Sequence, residues 1–193
     1  MDIDNINRAY DSFRVLGLED RYLPYSKSAK HLKVYQQHIF KTGFSEENRD
    51  LVCYKFGSGP TNVLAWSQMH GNETTGTKAL LDYISMLFTN VTELDYLLQS
   101  VSIYMIPVLN PDGADLFTRV NAKGVDLNRD AINFESLELK FLKAVLDQVQ
   151  PKYCFNLHDQ RNIFNPTNHK LPATISFLAP SQSVKREVTD VRL

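Results

Sequence analysis

His70 and Glu73 stand three residues apart in WSQMHGNETTG, directly after a β-prone run and before a helical stripe. On a tight turn such a pair can aim an imidazole nitrogen and a carboxylate oxygen at one cation, with a third ligand arriving from elsewhere in the chain. Taken alone, HxxE is a weak signal, because it recurs by chance. His158 closes another β-prone run, in KYCFNLHDQ, and is the natural third ligand. Ligands at the C-terminal ends of strands in an open α/β sheet converge on its usual binding crevice. Two histidines and a glutamate, with a fourth position left for water, form a catalytic rather than a structural zinc arrangement. The alternative makes both histidines polar caps on strand ends, satisfied by backbone carbonyls.

The second concentration of chemistry is LNPDGADLFTRVNAKGVDLNRD, which places Asn110, Asp112, Arg119, Asn121, Asp126, Asn128 and Arg129 within about twenty residues, broken by Gly113 and Gly124. The segment reads as too polar and turn-rich for core. Arginines beside a zinc site can stabilise the oxyanion formed when water attacks a carbonyl, or hold a substrate carboxylate through a bidentate fork. Asp126 can orient a ligating histidine from behind. The bland reading is an Asn/Asp-rich loop tying down its own backbone.

Elements that would position these groups can be read from periodicity. LVCYKF (51–56) and NVLAWSQM (62–69) are β-prone runs joined by GSGPT, which predicts an antiparallel hairpin. TTGTKALLDYISMLF carries Leu80, Ile84, Leu87 and Phe88 as a helix stripe, with Asn72 or Thr74 as its cap. VSIYMIPV (101–108) reads as a buried strand running into the NPDG turn, and residues 135–149 as an amphipathic helix. YCFNL (153–157) and ATISFL (173–178) complete the strands. Ahead of them, INRAYDSFRVLG and SAKHLKVYQQHIF have helical spacing, so residues 1–45 are expected to form an N-terminal helical arm. Strands alternating with helices indicate an α/β layer fold with a mixed sheet.

Composition narrows the function. With 21 Lys+Arg against 22 Asp+Glu, the formal charge is -1, which gives no net pull toward nucleic acid or an anionic membrane. A hydrophobic share of 43% supports a real core and excludes a disordered chain. No run approaches the roughly 18 apolar residues of a membrane helix, and the acidic start MDIDNINRAYDSF has no leader-like h-region. Cys53 and Cys154 both lie in β-prone apolar runs, where buried free thiols in a reducing compartment are the default and an interstrand disulfide is unforced. A cytoplasmic location is the expectation. His31 and His38 read as ordinary residues of the helical arm, and His169 as a loop residue.

In order and approximate spacing, HGNE (70–73), NPDG (110–113), RVNAKGVDLNR (119–129) and the strand-end His158 resemble the M14 zinc carboxypeptidase family. WSQMHGNETTGTKAL, GVDLNRD and NLHDQRNIFN are most similar to its bacterial members, and the resemblance covers roughly residues 48–180. It implies a three-layer zinc-carboxypeptidase-like α/β fold with a mixed β-sheet. It further implies one Zn(2+) per chain on His70, Glu73 and His158. Arg119 is the implied carbonyl-polarising catalytic residue, Asn128 and Arg129 the grip on a substrate carboxylate, and Asp126 the partner of the first zinc histidine. The implied partner is a peptide, or a small acylated amino acid, with a free C-terminal carboxylate.

Two departures from the family pattern stand out. The Gly-Arg of an outer subsite corresponds here to SEENRD, which keeps Arg49 as a subsite candidate but puts Asn48 before it. The family's general base is a glutamate well over fifty residues beyond the third zinc ligand, whereas only 35 residues follow His158, and Glu187 lies at the wrong distance. The expectation is therefore a peptidase M14 domain over 46–193 that is truncated before its catalytic glutamate, with its C-terminal part missing and an unpaired sheet edge open to a complementing chain or to self-association. Three functions follow from that expectation. The first is a metallocarboxypeptidase-like protein, hydrolysing the C-terminal peptide bond if completed. The others are a zinc-dependent amidohydrolase or deacylase of small N-acyl amino acids, and a catalytically inactive zinc- or carboxylate-binding remnant.

Overall fold

In the computed structural model, residues 9–89 and 92–159 are described. The run with most apolar character on both faces, VSIYMI, forms β4 (Val101–Ile106), and its residues 102–106 are all buried. A strand apolar on both faces is stable only with cover on each side, and that is its position. β1 (Ile39–Phe44), β2 (Asp50–Phe56), β3 (Thr61–Ser67) and β5 (Tyr153–Leu157) complete a five-stranded sheet in the order β1-β2-β4-β3-β5. β1/β2 and β2/β4 are antiparallel, while β3/β4 and β3/β5 are parallel. The sheet is mixed, as expected.

Side chains alternate across β4 and divide the core in two. Ile103 and Met105 join Tyr54, Phe56 and Ala65 against α2 (Thr75–Met86), through Leu80, Leu81 and Ile84. Tyr104 and Ile106 join Leu51, Cys53 and Leu64 against α6 (Leu137–Val149), through Leu139, Phe141, Leu142 and Val145. Helix, sheet and helix thus form three layers. α6 begins where Ser136 Oγ accepts from Leu139 N and ends at Gln150, in left-handed backbone. The shorter helices are α1 (Tyr25–Leu32), α3 (Thr92–Ser100), α4 (Pro111–Leu116) and α5 (Leu127–Asp130).

The expected hairpin between 51–56 and 62–69 does not form, because β4 lies between the two strands. The GSGP link is instead stitched to the entrance of β4: Ser58 N donates to Leu98 O and Gly59 N to Val101 O. A Cβ on Gly59 would fall 2.0 Å from the carbonyl carbon of Ser100, so only glycine allows that approach. The helix expected through SAKHLKVYQQHIF is also corrected. α1 ends at Leu32, a 3-10 turn spans Lys33–His38, and residues 39–44 are strand β1. Leu32, Tyr35 and Ile39 do have helical spacing, but pairing with β2 outweighs that local preference. Cys53 is buried, whereas Cys154 is exposed on β5, and neither is in a disulfide. His38 stacks near Phe56 and Phe88, away from the centre described below. The strand expected at 173–178, His169 and Glu187 lie outside the described residues. No helix among the described residues is long and apolar enough to cross a membrane.

Candidate metal centre

Three parallel strands, β3, β4 and β5, end side by side. Trp66 pairs with Ile106, and Ser67 with Leu157, so the segments leaving them emerge on one edge. His70 and Glu73 occupy the turn from β3 into α2, closed by Glu73 N donating to His70 O at 3.0 Å. Gln68 supports that turn from within. Its backbone is left-handed (φ 50°), and its Nε2 donates to Gly71 O at 2.8 Å while its Oε1 accepts from Thr77 Oγ1. A non-glycine residue held in that region is an uncommon feature that surrounding contacts must enforce.

The turn at the end of β4 packs directly against this one. A Cβ on Gly71 would lie 1.9 Å from the backbone of Gly113, and one on Gly113 would lie 2.5 Å from Val120 O. Asn110 joins the two turns: its Oδ1 accepts from Gly113 N, capping α4, and its Nδ2 donates to Met69 O. Asn110, Asp112 and Asn121 are all buried. Asn121 Oδ1 accepts from Lys123 N and Val125 N, and its Nδ2 donates to Glu138. Asn110 and Asn121 thus tie down their own loop, as the bland reading has it, whereas Asp112 accepts from Ser45 and Glu47 of another segment, and burial of all three makes the segment less excluded from the interior than its polarity suggests. Buried polar groups are tolerated when every donor and acceptor is matched.

The loop bound in this way delivers Asp126 and Arg119 to His70. Asp126 Oδ1 lies 3.1 Å from His70 Nε2 and accepts from Asn128 N at 3.0 Å, capping α5, while its Oδ2 accepts from Arg119 Nε at 2.9 Å. On its other side, His70 Nδ1 is 2.8 Å from Glu73 Oε1. His158 Nδ1 is 2.7 Å from Glu73 Oε2, and Arg119 Nη1 lies 3.6 Å from Glu73 Oε1. Burial pushes the Glu73 carboxyl up, but hydrogen bonds from His158 and His70 outweigh it and bring the value to about 2. Asp126 is likewise held low, with burial overcome by Arg119 and His70. Both groups are carboxylates at neutral pH.

One ligand atom from each of His70, Glu73 and His158 lies within 4.8 Å of the others. His70 and Glu73 are buried, while His158 is exposed, which leaves one side open among the described residues. Two imidazoles and a carboxylate, with the remote nitrogen of one imidazole held by an aspartate, fit Zn(2+) by donor type and by supporting contacts. A cluster capable of holding a metal ion is therefore present.

Asn128 and Arg129 lie on α5, immediately after Asp126. Arg129 is exposed and makes no side-chain hydrogen bond or ion pair among the described residues. Arg49 does not join the cluster. Its guanidinium engages Glu47, Asp112 at 2.7 Å and Asp115 at 2.8 Å, while Asp112 also accepts from Ser45 Oγ and Glu47 N. The neighbouring carboxylates hold its charge firmly. Sequence reading did not single out Gln68 or Asp159. Asp159 follows His158 and carried no periodic signal, since its partners lie 84 and 85 positions away.

The family model described as zinc carboxypeptidase matches residues 30–140. The chain belongs to that family. The match contains His70, Glu73, Arg119, Asp126, Asn128 and Arg129, whereas His158 lies beyond it and is joined to them by the fold. Carboxypeptidase E of Caenorhabditis elegans is 34% identical, over 51% of this chain and 26% of its own length. The catalytic chain of human carboxypeptidase N is 31% identical, over 48% of this chain and 25% of its own. Among solved structures, a metallo-carboxypeptidase of Pseudomonas aeruginosa superposes with a TM-score of 0.64 at 22% identity, covering 72% of this chain and 41% of that one. One from Burkholderia cenocepacia gives 0.63 at 20%, covering 72% and 42%. The zinc carboxypeptidase architecture is thus shared with bacterial members, and the chain spans less than half the length of each of these relatives.

Proposed function

We propose that this chain carries the metal-holding, carbonyl-polarising and carboxylate-gripping parts of a metallocarboxypeptidase centre for peptides with a free C-terminal carboxylate. The observation supporting this reading is the convergence of His70, Glu73 and His158 on one point, with Arg119 beside them. Zinc bound there supplies Lewis acidity, polarising a carbonyl oxygen and acidifying a water. His70, Glu73 and His158 hold the ion. Asp126 engages Nε2 of His70 from behind, which turns Nδ1 toward Glu73 as the nitrogen that would ligate. Arg119 is anchored through Nε on Asp126, which leaves its terminal N–H groups to donate to the oxygen that gains charge as the carbonyl is attacked.

Arg129, exposed and without a partner among the described residues, suits a two-point grip on a terminal carboxylate, with Asn128 beside it. Fixing that group places the last peptide bond, rather than an internal one, beside Arg119. The carboxylates at the centre, Glu73, Asp126 and Asp159, are each engaged by histidine, arginine or backbone donors. The proposed reaction therefore takes its proton acceptor from outside the described residues.

The test is equilibrium binding of a blocked dipeptide and of its C-terminal amide to the zinc-loaded protein. A charge-assisted pair is worth about 1.5–3 kcal/mol, so the acid is expected to bind roughly tenfold or more tightly, and Arg129→Ala to erase the preference. Equal binding of acid and amide by the unsubstituted protein refutes the grip. Tighter binding of an N-acyl amino acid than of the dipeptide favours the deacylase reading.

A further inference from the structure

The last pairing of β5 with β3 is Leu157 opposite Ser67, so His158 and Asp159 lie beyond the sheet ladder. Something else must fix them. Asp159 Oδ2 accepts from Thr74 N at 3.1 Å and its Oδ1 from Thr75 N at 3.1 Å, while its own backbone N donates to Glu73 Oε2 at 3.2 Å.

These contacts meet a need of α2. The first N–H groups of a helix have no partner within it, and Thr74, at the cap position, makes no side-chain cap hydrogen bond. The Thr74 hydroxyl is turned away and donates to Arg21 O at 2.9 Å. The cap is supplied instead by a carboxylate from another strand, the group that a helix N-terminus favours by hydrogen bonding and by its dipole. Glu73 immediately precedes this capped turn, and His158 immediately precedes the capping residue. One side chain therefore ties together the two segments that bring the third ligand to the first two.

We propose that Asp159 is a positioning residue for the metal centre. It clamps the end of β5 to the start of α2, so that His158 Nδ1 is held against Glu73 before an ion arrives. This rests on the metal-centre reading above. Ligand sets held in place beforehand bind more tightly, and loss of a supporting contact typically weakens metal affinity about 10–100-fold.

The experiment titrates the metal-free protein with Co(II), reading both affinity and the visible d–d bands, which report coordination directly. Asp159→Ala is expected to bind Co(II) at least tenfold more weakly, with bands that lose intensity toward those of His158→Ala. Asp159→Asn keeps one carbonyl acceptor for the helix N–H groups and is expected to recover most of the affinity and the original spectrum. Should the alanine variant fail to fold, Asp159→Glu serves instead. It keeps the charge but carries the carboxylate past Thr74 and Thr75, and a severalfold loss of affinity is expected. Original affinity and spectrum in the alanine variant, or in the glutamate variant where alanine does not fold, overturn the positioning role and leave the metal centre standing. If the unsubstituted protein binds no Co(II), or if His70→Ala binds it equally well, the metal centre fails and the proposal fails with it.

Discussion

Replacing Asp126 by alanine separates what that residue does for the metal from what it does for the fold. Its two oxygens serve three donors: Oδ1 faces His70 Nε2 and caps α5 through Asn128 N, and Oδ2 takes Arg119 Nε. Loss of the histidine partner is expected to weaken zinc about 10–100-fold, or roughly 1.4–2.7 kcal/mol. Loss of the cap on a four-residue helix adds about 1 kcal/mol of destabilisation, which metal-free protein also shows. Asp126→Asn divides these effects. Its carbonyl oxygen can keep both Oδ1 contacts, but its NH2 group then faces Arg119 Nε, donor against donor. Zinc affinity and stability are therefore expected to stay near the original values, while the arginine is released. Affinity is measured by competition with a chromophoric chelator, and stability by urea denaturation of the metal-free protein. Zinc binding within twofold of the original in Asp126→Ala refutes the claim that this carboxylate holds His70 in its ligating orientation.

Other consequences can be checked with similar means. Gly71→Ala places a methyl 1.9 Å from the Gly113 backbone, which no side-chain movement relieves, so a loss of about 3 kcal/mol or failure to fold is expected in urea denaturation. Arg49→Ala leaves fully buried Asp112 without its cation. A loss of about 2 kcal/mol is expected after discounting for the partial exposure of Arg49, and unchanged denaturation argues for a role outside this cluster. Metal-free protein should lose stability as pH falls from about 4.5 toward about 2. Across that range Glu73 stays ionised in the folded chain while the unfolded chain takes up the proton, a difference of roughly 3 kcal/mol. Asp126 and Asp130, also held low, act in the same direction, whereas burial raises Glu138, whose opposite effect falls above that range. Denaturation midpoints that rise on acidification contradict this assignment.

The sequence by itself determined the residue types of the metal-capable cluster, the strand-end positions of His70 and His158, and the two amphipathic helices that cover the sheet, because each is a local pattern of spacing. Strand β5 was legible to the residue, and α6 nearly so. Strand order was not. The GSGP link reads as a hairpin turn, yet its amides bind the entrance of β4, a preference visible only when residues 98–101 are adjacent to it. Leu32, Tyr35 and Ile39 share a helical period, yet from Ile39 to Phe44 the chain is a strand, since β2 offers it a ladder. The tertiary structure alone decided which polar residues serve the centre and which serve the scaffold. Arg49 and Arg119 are indistinguishable by type, but carboxylates surround the first, while the second shares Asp126 with His70 of the metal-capable cluster. Asp159 reads as an ordinary loop residue and becomes the cap of a helix 84 positions earlier. Hydrogen bonds of that kind depend on distances between strand ends, and those distances are set by how the sheet is ordered rather than by spacing along the chain.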